Sequence, residues 1–186
     1  MRLQPAARSW WGLVALYVAV VFAAQPYLGF AVDALKARWG EAGLATAVSA
    51  LAGAVALAVA LAALPLIRTA TRTERLVLAI GAMLYVGGVA TLDIPQERLH
   101  YAEYGLLAGM VFVGLQGARP KASWQSVVLT IVVAAALGWL DETLQGAFWE
   151  RRYFDWRDVQ LNVRAAALGT LLAVPLWSAY RRARKA

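Results

Sequence analysis

Residues 43–67, GLATAVSALAGAVALAVALAALPLI, hold 25 consecutive positions without a charged side chain. Few environments accept such a run. A helix needs about 17–25 apolar residues to cross the hydrocarbon layer of a bilayer. The rest of the chain has the same character: 61% of its 186 residues are hydrophobic and 16% charged, against about 25% charged in a soluble domain. Mean hydropathy is +0.58.

Six apolar blocks are legible: Trp11 to Ala24, Gly43 to Ile67, Leu76 to Leu92, Leu99 to Leu115, Val127 to Phe148, and Leu161 to Tyr180. The second, fifth and sixth are long enough unaided. The others reach span length only when flanking aromatic and polar residues extend them into the interface. No period-two alternation runs through the chain, which argues against a membrane barrel. The expected fold is all-α: a polytopic integral membrane helical bundle of about six transmembrane helices, with residues 1–186 forming one membrane domain.

Charge placement orients that bundle. A cytoplasmic start puts Arg2, Arg8, Arg68, Arg72, Arg75, Arg119, Lys121, Arg181, Arg182, Arg184 and Lys185 inside, 11 in all. Lys36, Arg38, Arg98, Arg151, Arg152 and Arg157, six in all, face the other side, and Arg164 falls within the last block. Cytoplasmic loops carry the excess of Lys and Arg, so both termini are expected in the cytoplasm. The net charge of +7 then reads as topology and attraction to anionic lipid, with no nucleic-acid partner implied. Arg2 and Arg8 ahead of an apolar stretch, with VVFAA behind, weakly resemble a secretion signal. The Trp pair opening the stretch and Pro26 after it favour a retained anchor. Cysteine is absent, which removes disulfides and thiol chemistry.

With this orientation the unusual polar residues gather at the outer face. They lie in IPQERLHYAEYGLL, in LGWLDETLQGAF and in WERRYFDWRDVQLN. His100, Glu103 and Tyr104 stand at i, i+3 and i+4, on one face of a helix. Glu142, Gln145 and Trp149 share another face. Asp155, Asp158 and Asn162 form a polar stripe if the loop is helical there. Gly105 and Gly109 make a GxxxG pair, which lets a second helix pack closely. An ionisable side chain within a span costs about 2.5–3.5 kcal/mol at its centre and less toward its ends, so such residues face a partner, water or the bundle interior. Asp141 and Glu142 point about 100° apart on a helix. One of them is expected to face the cluster, with Glu142 the functional member and Asp141 its structural neighbour.

These residues also resemble a family pattern. HYAEYGLL followed by DETLQGAFWERRYFDWRDVQLN is similar to the VanZ-like family of glycopeptide (teicoplanin) resistance proteins, over roughly His100 to Gly169. The resemblance marks residues 99–180 as the core of such a protein, and it marks His100, Tyr104, Glu142, Gln145, Arg152, Asp155, Asp158 and Asn162 as its polar signature. Ala165 and Arg151 stand where that pattern has glycine. The resemblance implies a multi-pass protein of the bacterial cell membrane with an envelope role, and supplies no reaction.

Three functions fit the cluster of His100, Glu103, Tyr104, Glu142, Gln145, Arg152, Asp155, Asp158 and Asn162. The leading expectation is binding of an anionic envelope lipid or lipid-linked cell-wall precursor, with membrane lipids as partners and Arg152 gripping phosphate through its planar fork. The second is an enzyme acting on such a lipid, with His100 or Glu142 as acid or base and Arg152 steadying phosphate charge. The third is a proton or solute path, which the lack of ionisable residues in the inner halves of the spans disfavours. No cofactor is implied. A single His removes multi-His zinc sites, and Mg²⁺ or Ca²⁺ on Glu142, Asp155, Asp158 and Asn162 is the residual metal option. Arg152 is expected close to Glu142, His100 or Asp158.

Overall fold

The computed structural model of the chain describes residues 5–116, 123–149 and 152–185. Arg2, Arg119, Lys121 and Arg151 lie outside the described residues. These form five helices: α1 Pro5–Thr69, α2 Arg72–Ala90, α3 Glu97–Gln116, α4 Trp124–Phe148 and α5 Trp156–Ala183. No strand occurs among the described residues. Four stretches are long and apolar enough to cross a membrane: Ser9–Thr69, Arg72–Ala90, Trp124–Phe148 and Trp156–Ala183.

Where six helices are expected, five elements stand, because the first two apolar blocks form two helices that run on within α1 across a kink. α1 is interrupted at Gly40, which takes φ 69° and ψ −177°. That left-handed conformation is open to glycine at no steric cost, and it lets the chain turn without a loop. Contacts show the turn. Before it, Trp10 Nε1 donates to the Met110 carbonyl (2.8 Å) and Tyr17 Oη to the Glu103 carbonyl (3.0 Å), so this arm runs antiparallel to α3. After it, Ser49 meets Arg98, back at the α3 start.

The block Leu99 to Leu115 stands apart from the other expected spans. Its helix forms, but α3 is not among the four stretches apolar enough to be read as spans. The reason is its place in the bundle. His100, Tyr101, Tyr104 and Gln116 of α3 are all buried, as are Ala108, Val111 and Phe112. A helix walled in by α1, α4 and α5 can carry polar groups that a lipid-facing helix cannot. α1 and α2, by contrast, expose Leu16, Leu57, Leu61, Leu76, Met83 and Val86.

Local sequence sets the element ends. Thr71 and Glu74 make a capping box: Glu74 N–H donates to Thr71 Oγ1 (3.2 Å) and Thr71 N–H to Glu74 Oε2 (2.8 Å). Two orphan amides of α2 are satisfied that way. The same carboxylate takes both terminal nitrogens of Arg182, Nη1 at 2.7 Å and Nη2 on the other oxygen, tying the start of α2 to the end of α5. Asp155 caps α5 by accepting from Arg157 N–H at 2.8 Å.

α3 and α5 meet backbone to backbone. A Cβ at Gly169 would lie 2.2 Å from the Gly105 carbonyl oxygen, and one at Gly105 would lie 2.3 Å from Tyr85 Oη. Gly105 of the expected GxxxG pair is therefore used, whereas Gly109 has nothing within 4 Å of where its Cβ would stand. From this contact three helices fall into register. His100, Tyr104, Ala108 and Phe112 descend α3 four residues at a time; Asp158, Asn162, Ala166 and Thr170 descend α5; Glu142, Gly138, Ala134 and Thr130 descend α4, which runs the other way. Ala108, Ala134 and Ala166 form one fully buried layer. Asn162 and Tyr104 crowd the position of Gly138 in the layer above it. Below, Thr130 and Thr170 satisfy their hydroxyls on the Ser126 and Ala166 carbonyls of their own helices.

Opposite effects are expected from two glycines. Gly169→Ala forces α3 and α5 apart, costs about 1–3 kcal/mol or more, and lowers the thermal unfolding midpoint in detergent. Gly109→Ala removes a helix-interior glycine at an open position and raises it, by about 0.5–1 kcal/mol. Equal shifts for both would contradict the contact.

Candidate functional site

The polar residues meet where α3 and α5 start, α4 ends and the first arm of α1 passes. Asp141 sits deepest. It is fully buried, and its Oδ2 accepts from Tyr104 Oη at 3.0 Å and from Gln25 Nε2 at 3.1 Å. Gln25 Oε1 in turn accepts from Arg152 Nη2 at 3.2 Å. A four-member chain, Arg152–Gln25–Asp141–Tyr104, thus joins the loop to α1, α4 and α3. Each link matters because a buried polar group without a partner costs roughly 1–3 kcal/mol.

A second group lies beside the first. His100 Nε2 stands 3.5 Å from Asp158 Oδ2, and the His100 ring stacks over Tyr104 at 6.4 Å with 18° between planes. Glu142, 1% exposed, is joined to Gln145 Nε2 by a long contact of 3.4 Å. His100, Glu142 and Asp158 each offer one ligand atom, and the three atoms lie within 4.8 Å of one another. Asn162, one turn along α5 from Asp158, is fully buried, and neither of its amide atoms has a hydrogen-bond partner.

Loop geometry brings Arg152 back. Its N–H donates to the Trp149 carbonyl at 3.0 Å, and the following strand of loop lies on Gly146, where a Cβ would stand 2.7 Å from Phe154 N. Only a missing side chain on the last turn of α4 permits that approach. Arg152 acts electrostatically on Asp141, Glu142 and Asp158, but its hydrogen bond goes to Gln25, not to Glu142, His100 or Asp158. Its Nε is buried and unpartnered. Tyr153, Phe154 and Trp156 stand exposed around it.

The nine expected residues are not one constellation. His100, Tyr104, Glu142, Gln145, Asp158 and Asn162 point into the bundle, with Arg152 at its edge. Glu103 faces the other way, lining a groove between α1 and α3 with Tyr17, Phe22, Tyr104 and Leu107. Asp155 caps α5 through Oδ1. Asp141 and Glu142, expected to face apart, divide between two sets of partners. Both are buried, because the residues 100° apart are served from two sides, by α1 and α3 for Asp141 and by α5 for Glu142.

Two partners were not anticipated. Gln25 is the one amide side chain within AAQPY, in the first arm of α1; a polar residue inside an apolar block was the available signal. Glu97, within PQERLH, is buried and accepts from Arg157 Nη2 at 3.1 Å. No family model matches the chain, and neither a curated protein nor a solved structure does so.

Tyr104→Phe takes a donor from a buried carboxylate and is expected to cost about 1.5–3 kcal/mol. Gln145→Ala removes the long contact with Glu142 and the Gln145 interaction with Asp141, and is expected to destabilise as well. Combined with Asp141→Asn, Tyr104→Phe should cost less than the sum of the two changes, since they share one bond. Denaturation of the four proteins in detergent reads all of these.

Proposed function

We propose that this protein spans the bacterial cell membrane with both termini in the cytoplasm, and that it binds the anionic head of an envelope lipid or lipid-linked precursor at the outer polar cluster. The observation that carries this reading is Arg152: a guanidinium at the edge of the bundle, held through Gln25, with a buried Nε that has no partner. A planar fork with unused donors suits a phosphate oxygen pair. Exposed Tyr153, Phe154 and Trp156 beside it suit the membrane interface. The resemblance of HYAEYGLL and DETLQGAFWERRYFDWRDVQLN to the VanZ-like family supports an envelope role and a link to glycopeptide resistance.

A second reading is an enzyme acting on the same lipid. His100 beside Asp158 at 3.5 Å is the arrangement of an oriented acid or base. Asp141 and Glu142 at adjacent positions of one helix do not make the opposed carboxylate pair of a glycosidase. A lipid recovered unchanged favours the binder; a modified one favours the enzyme.

Native mass spectrometry of the purified protein exposed to phosphatidylglycerol and phosphatidylcholine tests the binding. The expected result is retention of the anionic lipid, loss of that preference in Arg152→Ala, and partial loss in Arg152→Lys, which keeps charge without the fork. Equal retention of both lipids, or an unaffected Arg152→Ala, overturns the reading. Orientation is tested separately. A cysteine at position 155 should react with an impermeant thiol reagent added outside cells, and one at position 72 should not.

A further inference from the structure

We propose that His100, Glu142 and Asp158 bind one divalent first-row cation of the Mn²⁺ to Zn²⁺ class, with the Asn162 amide oxygen as a fourth ligand. Each of α3, α4 and α5 supplies one of the three, from the top layer of the register that the Ala108, Ala134 and Ala166 layer fixes two turns below. Their ligand atoms lie within 4.8 Å of one another, and the His100–Asp158 separation is 3.5 Å. Nitrogen and oxygen ligands at about 2.0–2.2 Å in a tetrahedral shell lie roughly 3.3–3.6 Å apart. The His–Asp pair already has that spacing, and the Glu142 oxygen lies within 4.8 Å of both.

The donor set selects the ion. Imidazole with carboxylates suits borderline cations, whereas Mg²⁺ and Ca²⁺ take all-oxygen shells. An all-oxygen set would need Asp155, whose carboxylate caps α5. Charge argues the same way. Asp141, Glu142 and Asp158 all lie within electrostatic reach of Arg152, while Arg157 is paired with Glu97. A divalent ion neutralises the two carboxylates it binds, in surroundings where uncompensated charge is costly.

An independent observation points to the same place. Asn162 is fully buried, and both its amide atoms lack hydrogen-bond partners. It lies beside His100, in space that the missing side chain of Gly138 leaves open. His100 Nδ1 is likewise buried and unpartnered. A buried amide without partners is expensive, and a cation beside it takes up its oxygen.

This site goes beyond lipid-head binding and is tested without lipid. Tag-free protein, stripped with chelator in detergent, is titrated with Zn²⁺ and with Mn²⁺ by calorimetry. One equivalent of at least one of these ions is expected per chain. His100→Gln, Glu142→Gln and Asp158→Asn are each expected to weaken binding by about a hundredfold or more, beyond the roughly 10–100-fold that follows loss of groups that merely orient ligands. Asp155→Asn keeps a good cap and should bind as the unaltered chain does. No saturable binding of either ion overturns the proposal, as does loss in Asp155→Asn equal to that of the three. Zinc X-ray absorption on the loaded, unaltered chain needs no variant. One imidazole with oxygen neighbours supports the site, since His100 is the only His, and a shell without imidazole overturns it. Retention of phosphatidylglycerol, measured in chelator, succeeds or fails independently of these outcomes.

Discussion

The contact of Gly169 with the Gly105 carbonyl is the constraint on which the rest of the structure hangs. Without hydrophobic drive between helices in lipid, close packing of small residues and internal hydrogen bonds hold a bundle together. Two glycines let α3 and α5 touch through their backbones, and a third, Gly138, lets α4 close on Asn162 and Tyr104. Once three helices are this close, every fourth residue on each is committed to the same interior column. The column is small in the middle, at Ala108, Ala134 and Ala166. It carries ionisable side chains at one end, at His100, Glu142 and Asp158. Packing and site are one construction.

That construction resolves the cost of the carboxylates. Asp141 is taken up by Tyr104 and Gln25, Glu97 by Arg157, and Asp155 by the first turn of α5. Glu142 and Asp158 are left facing one imidazole and one unpartnered amide. The acidic side chains thus divide between those tied to other elements and those gathered at the His100 end of the bundle. The division runs between Asp141 and Glu142, adjacent in sequence, because one faces α1 and α3 and the other faces α5.

Arg152 shows how a loop is made part of such a site. Nothing in its own sequence neighbourhood fixes where it goes. Gly146 removes the side chain that would hold Phe154 off α4, and Gln25, more than a hundred residues earlier, holds the guanidinium. The loop aromatics stay outside, while the charged group is drawn to the bundle edge.

By itself, the sequence determined the helical class, the membrane-like composition, and the identity of most polar residues gathered where α3 and α5 start and α4 ends. These follow from length, hydropathy and helical period, which are local properties of the chain. It left the element count at six, because a glycine that turns a helix back on itself looks, in sequence, like any loop between two blocks. It left Gln25 and Glu97 unassigned, and named no partner for Asp141. Tertiary structure alone decided that α3 is an interior helix, that Gly105 is used and Gly109 is not, and that Asp155 caps a helix. Helical period fixes which residues share a face, but not which neighbour that face meets; packing of α1, α3, α4 and α5 against one another supplies the neighbour.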